Sequence, residues 1–145
     1  MNYEEMLIDS GRAGIYRLPP DVGALEAAAA GSDFAVWRVD LDAVRTKQEL
    51  LDAIAREVAF PDWFGSNWDA LEDCLTDLSW CVASGYVLIL TNAGGFAEAA
   101  AEDFETALEV LDGAAEYWYD EDVPFWVLVG DADFGRFDIP VLDEE

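Results

Sequence analysis

Two short apolar runs, Y-V-L-I-L at 86–90 and V-P-F-W-V-L-V at 123–129, narrow the folds open to this chain more than any other feature. The first has no polar position and the second is broken only by Pro124, so the strand there reads as 125–129. A strand without alternation is covered on both faces, which is the habit of parallel sheets sandwiched by helices. D-F-A-V-W-R-V-D-L at 33–41, rich in β-branched and aromatic residues, reads as another strand, and I-Y-R-L at 15–18 as a short first one. Both apolar runs are far too short to span a bilayer.

Helical signals fill the gaps. Pro19-Pro20-Asp21 opens a helix that runs through L-E-A-A-A-A at 25–30 and ends at Gly31. T-K-Q-E at 46–49 has the form of a capping box, in which the threonine hydroxyl takes an early amide and the glutamate reaches back. Leu50, Leu51, Ile54, Ala55 and Val58 follow at helical spacing, and Phe60-Pro61 stops them. Residues 96–119 read as one long helix with a stripe of Phe104, Leu108, Leu111, Ala115 and Trp118, weakened by Gly113. Strands alternating with helices predict an α/β fold, a small, mainly parallel β-sheet of three to four strands packed with helices.

The chain is one domain's worth of sequence, 145 residues with 53% hydrophobic content, enough for a globular core. Its 32 acidic residues against 7 basic ones give a formal charge of -25. That field repels nucleic acid and anionic membrane and attracts basic proteins. M-N-Y-E-E-M-L-I-D-S-G at the start has neither the basic region nor the apolar stretch of a secretory signal, so a cytoplasmic location is expected. Cys74 and Cys81 give no support for a disulfide beyond their number.

Catalysis finds little footing. Without histidine there is no imidazole base or imidazole metal ligand. No phosphate-cradling glycine loop and no paired CxxC occur, so no cofactor is expected. D-A-D-F-G-R at 131–136 is a poor calcium loop, because Arg136 stands where the sharp turn needs glycine.

The chemistry concentrates in F-P-D-W-F-G-S-N-W-D-A-L-E-D-C-L-T-D-L at 60–78, an aromatic turn feeding a short helix with Ser66 or Asn67 as its N-cap. At ~100° per residue, Asp69, Glu72, Asp73 and Thr76 gather on one face, while Trp68, Ala70, Leu71, Cys74, Leu75 and Leu78 take the other. Aspartates at i and i+4 repel by a few tenths of a kcal/mol, so a cationic partner is the natural suspicion for that face. On charge pattern alone a solvated surface is the simpler account. Phe64, Trp68 and Leu71 read as core, Asn67 as a cap, and Gly65 as a turn residue with positive φ.

This segment resembles the signature of the barstar family, intracellular inhibitors of the ribonuclease barnase. The family pattern is proline, acidic, aromatic, aromatic, Gly, any, Asn, any, Asp-Ala-Leu, any, Asp-Cys-Leu-Thr. Pro61, Asp62, Trp63, Phe64, Gly65, Asn67, Asp69, Ala70, Leu71, Asp73, Cys74, Leu75 and Thr76 match it without a gap. A weaker resemblance covers 33–130, leaving 1–32 as an N-terminal extension that can add a strand and a helix to the same domain, and 131–145 as an acidic C-terminal segment, either a covering loop or a frayed tail.

The resemblance implies a barstar-like fold and a protein that is not an enzyme. It implies a basic ribonuclease as partner, met by Trp63, Gly65, Asn67, Asp69, Asp73 and Thr76, with Asp73 in the cationic site that holds an RNA phosphate. Glu72 joins this set through its place on the acidic face. The chain departs from the family in four places. Glu72 stands where the family has an aromatic residue, Trp63 replaces a tyrosine, Leu78 replaces a tryptophan, and Asp112 or Gly113 falls where the last long helix has a further acidic contact. The competing reading is an acidic binding module for another basic protein, a DNase toxin or a regulatory factor, without ribonuclease inhibition.

Overall fold

The computed structural model describes residues 3–142. In chain order the elements are α1 (Tyr3–Leu7), β1 (Ile15–Arg17), α2 (Val22–Gly31), β2 (Phe34–Asp40), α3 (Lys47–Val58), α4 (Trp68–Asp77), β3 (Gly85–Thr91), α5 (Gly94–Ala99), α6 (Ala101–Asp120) and β4 (Phe125–Val129). The four strands form one sheet in the order β1-β4-β3-β2, and each neighbouring pair is parallel. The expected α/β architecture with a parallel sheet is what forms.

The two apolar runs take the central places. In β3 and β4 alternate residues serve opposite cores, so neither strand has a polar position to spare. Tyr86, Leu88, Leu90, Phe125, Val127 and Val129 face a core completed by α3, α4, α5 and α6. Val87, Ile89, Trp126 and Leu128 face a second core closed by α1 and α2. In β2, an edge strand, charge is tolerated, and Arg38 and Asp40 are exposed. Gly85 is required by close approach, since a Cβ there would lie 2.5 Å from the Phe34 ring.

Side-chain caps form at the starts of α2 and α3. Asp21 accepts the Ala24 amide at 3.1 Å, and Thr46 accepts that of Glu49 at 3.2 Å. Glu49 reaches back one residue further than a capping box requires, taking the Arg45 amide at 3.0 Å.

The single helix expected over 96–119 is two. Ala100, at φ -139° and ψ 62°, separates α5 from α6, and Gly113 sits inside α6 without ending it. Alanine is the best helix former, so propensity gives no warning of the break. Packing decides it, since the bend brings Phe96 and Phe104 edge-to-face at 6.1 Å in the core.

Beyond β4 the chain wraps the sheet edge as far as it is described. Phe137 and Ile139 are buried in the first core and Leu142 in the second. The Arg17 amide donates to the Pro140 carbonyl at 2.8 Å, so this strap covers the outer edge of β1. Asp133 accepts the amides of Gly135 and Arg136 with one carboxylate oxygen, turning the 131–136 loop upon itself.

Candidate functional site

The acidic face rests on a helix held at both ends. Before it, α3 ends at Ala59 in the left-handed region, and the chain turns through the Phe64 amide to the Pro61 carbonyl at 3.0 Å. Phe60 and Phe64 pack ring to ring at 4.9 Å, and Phe60 meets Trp80 at 6.0 Å, which roots the turn. Trp63 is left 58% exposed at its tip.

Asn67 is the N-cap of α4. Its Oδ1 accepts the Ala70 amide at 2.7 Å, and its Nδ2 reaches the Gly65 carbonyl at 3.4 Å. The left-handed residue of this turn is Ser66, at φ 53°, and not Gly65 as expected. A Cβ on Gly65 would make ordinary contact, 3.4 Å from Asn67 and 3.8 Å from Ala70. The reversal falls one residue later because Asn67 itself must be extended for its side chain to fold back over the helix end.

Leu71, Cys74 and Leu75 are buried. Trp68 and Phe64 are half-buried and pack against the edge of the core. Trp68 opens the helix at the rim of the core, and Lys47 stands over its ring at 5.3 Å. At the far end Leu78 adopts φ 49°, its amide closing on the Cys74 carbonyl at 3.2 Å. The last turn of a helix leaves carbonyls without partners. Here the Trp118 indole donates to the Leu75 carbonyl at 2.7 Å, tying α4 to α6, and the Trp80 indole donates to Val58 at 3.1 Å, tying the following turn to α3.

On the outer face Asp69, Glu72 and Asp73 are exposed, and among the described residues their carboxylates have no hydrogen-bond or ion-pair partner. Asp77 and Asp62 are exposed as well; the first lies one turn beyond Asp73 and the second beside Trp63. Asp62 belongs to the matched signature but not to the expected contact set, and Asp77 belongs to neither, although its i+4 spacing from Asp73 extends the acidic face. Thr76 is half-buried, and its hydroxyl donates to the Glu72 carbonyl at 2.8 Å, leaving an oxygen lone pair for a donor. Asp112 is exposed on α6. The candidate set thus divides in two. Asp69, Glu72, Asp73 and Trp63 are unengaged, while Gly65, Asn67 and Thr76 already serve their own turn and helix.

Beneath this face, burial pushes the Cys74 thiol up to about 11, with Asp73 and Asp77 adding to the effect. Cys74 and Cys81 are both free. Among the described residues, no three acidic or cysteine side chains converge to hold a metal ion. No helix among them is long and apolar enough to cross a membrane.

A family model described as Barstar (barnase inhibitor) matches residues 34–130, from the start of β2 to just past β4. No curated protein matches the chain. Among solved structures, the Aeropyrum pernix ORC2 protein in ADPNP-ADP complexes is similar with a TM-score of 0.55 at 19% identity, over 92% of this chain and 40% of that one. Drosophila ORC bound to AT-rich DNA and Cdc6 gives 0.48 at 14% identity, over 92% of this chain and 45% of that one. The chain therefore spans less than half the length of these structures, and at 19% identity the likeness to the first concerns the fold alone.

Proposed function

The chain belongs to the barstar (barnase inhibitor) family, and on that premise we propose that it binds a basic ribonuclease and closes its active site with the outer face of α4 and the preceding aromatic turn. Members of this family are inhibitors and not enzymes. A ribonuclease cleft gathers cations to hold phosphate, and carboxylates at helical spacing offer those cations charge-assisted hydrogen bonds in place of RNA. Asp73, central among the exposed acids, takes the phosphate position in this reading. Asp69 and Glu72 flank it, and Trp63 supplies the aromatic anchor that interfaces favour.

The observation that carries the reading is the combination of unengaged carboxylates with a fixed helix. Asp69, Glu72 and Asp73 have no partner among the described residues, while Asn67 and Trp118 hold the two ends of α4. A carboxylate presented by a rigid helix loses little freedom on docking. The net charge of -25 speeds encounter with a basic enzyme over long range. A cytoplasmic location is part of this proposal, since an inhibitor of this kind guards the RNA of its own cell.

The test is RNA cleavage by barnase, and by a panel of other cationic ribonucleases, with increasing amounts of the protein. Stoichiometric inhibition of at least one enzyme, lost in Asp73→Ala, is the expected result. Inhibition of none, alongside tight binding to a basic DNase, would replace the ribonuclease reading with that of a different nuclease inhibitor.

A further inference from the structure

A cavity of about 400 Å³ lies between α6, β1 and the strap that follows β4, and none of its walls comes from α4 or the 60–67 turn. Its apolar lining is Ile15 from β1, Leu108 from α6 and Pro140 from the strap, with the buried Ile139 beneath them. Glu105, Glu109 and Asp112 stand along one wall at helical spacing, and Asp138 stands on the strap. All four acids are exposed, and among the described residues none has a hydrogen-bond or ion-pair partner for its carboxylate. Not one of the chain's seven basic residues lines the cavity.

We propose that this trough is a docking site for a basic amphipathic helix of a partner protein, separate from the α4 face. Its two features ask for different things from an occupant. The apolar lining favours aliphatic side chains, and a volume near the small end of binding pockets suits the few that one helix face presents. The carboxylates along α6 repel one another at i and i+4, and basic side chains flanking those aliphatic ones relieve the repulsion. Charge removes the other macromolecular occupants. At -25, a second copy of this chain is repelled, as are nucleic acid and anionic membrane. Ile15 and residues 138–140 lie outside the matched 34–130 stretch, so this chain's own additions close the trough against an α6 wall that belongs to the family core.

The experiment uses the full chain and a labelled peptide with leucine and lysine at helical spacing, read by fluorescence anisotropy. Two triple variants carry the same change of charge, E105Q/E109Q/D138N in the trough and E57Q/E98Q/E121Q elsewhere on the surface. The trough variant is expected to weaken peptide binding by about tenfold or more, the sum of three charge pairs, and the control by about twofold at most. Asp73→Ala should leave peptide affinity within about twofold of wild type, because α4 supplies no wall. Equal losses in the two triples would reduce the attraction to the general field of the protein and overturn the site. So would a peptide with serine in place of leucine, or spermine, binding as tightly as the amphipathic one, since neither needs an apolar trough.

Discussion

The indole nitrogen of Trp118 donates to the carbonyl of Leu75 at 2.7 Å, and this contact fixes the C-terminal half of α4 against α6. Leu75 lies in the last turn of α4, where the helical ladder offers its carbonyl no amide. The same indole packs against Tyr86 at 5.3 Å, so it joins the acidic helix to the sheet. Trp118→Phe keeps most of the aromatic bulk and removes the donor. It should cost about 1 to 2 kcal/mol of stability, the range for an uncompensated carbonyl. Urea midpoints measure that cost. Weaker ribonuclease binding under conditions where the variant is fully folded would show that the contact also positions the face.

Asp73→Ala should move stability and binding in opposite directions. Asp73 has like charges at i-4 and i+4, Asp69 and Asp77, and losing it relieves a few tenths of a kcal/mol of repulsion on each side. Against a ribonuclease the same change leaves a cationic cleft unpaired, at about 3 kcal/mol or more, roughly a hundredfold in Kd. Asp69→Ala should be close to neutral for folding, because its first-turn position favours the helix dipole by about as much as its repulsion opposes it. Its binding loss should be smaller than that of Asp73. Association rates should fall as salt rises. A rate flat between low and high salt would remove electrostatic steering from the mechanism.

Cys74 sets a pH dependence on the alkaline side. Its thiol is pushed up to about 11 in the folded protein from an ordinary value of 9.0, chiefly by burial. Below pH 9 the folded and unfolded chains both hold this proton. Between 9 and 11 the unfolded chain releases it while the folded one retains it, so stability falls across that window, by up to about 2 to 3 kcal/mol. Cys74→Ala isolates the thiol's contribution. Whatever advantage the wild type holds over Cys74→Ala at pH 8 should shrink by this amount at pH 11. Denaturation curves with the same pH slope in both proteins would show that Cys74 does not control the loss.

The central strands were legible because Y-V-L-I-L and F-W-V-L-V leave no doubt about burial, and each falls where its pattern places it, within a residue or two. The acidic and apolar faces of α4 were legible because ten residues at helical spacing sort charge from Leu71, Cys74 and Leu75 with one ambiguity, Trp68. The break at Ala100 was not, because the three alanines at 99–101 and their neighbours carry no stop signal and the bend is imposed by core packing. Nor was the left-handed conformation at Ser66. Glycine is the usual bearer of positive φ, but here the capping geometry of Asn67 shifts that demand to its neighbour. The α1 helix escaped notice as well. Its five residues are too few for a periodic pattern, and they are held by tertiary contacts, with Met6 and Leu7 buried and the Trp126 indole donating to the Leu7 carbonyl at 3.0 Å.

Asn67 offers a way to separate a structural role from a direct one. Asn67→Ala removes the side-chain oxygen that accepts the Ala70 amide and should cost about 1 kcal/mol of stability. Asn67→Asp keeps an accepting oxygen at the cap and places a negative charge at the helix start, which the dipole favours, so stability should be restored or slightly raised. What aspartate does not restore is the amide Nδ2 that reaches the Gly65 carbonyl at 3.4 Å. If Asn67 serves the interface only by capping α4, ribonuclease inhibition in Asn67→Asp should return to within about twofold of wild type. Recovery of stability without recovery of inhibition would instead assign the amide to the bound surface, either by holding the Gly65 turn in place or by touching the enzyme. Asn67→Ser, which caps without adding charge, then separates the effect of the lost amide from that of the added carboxylate.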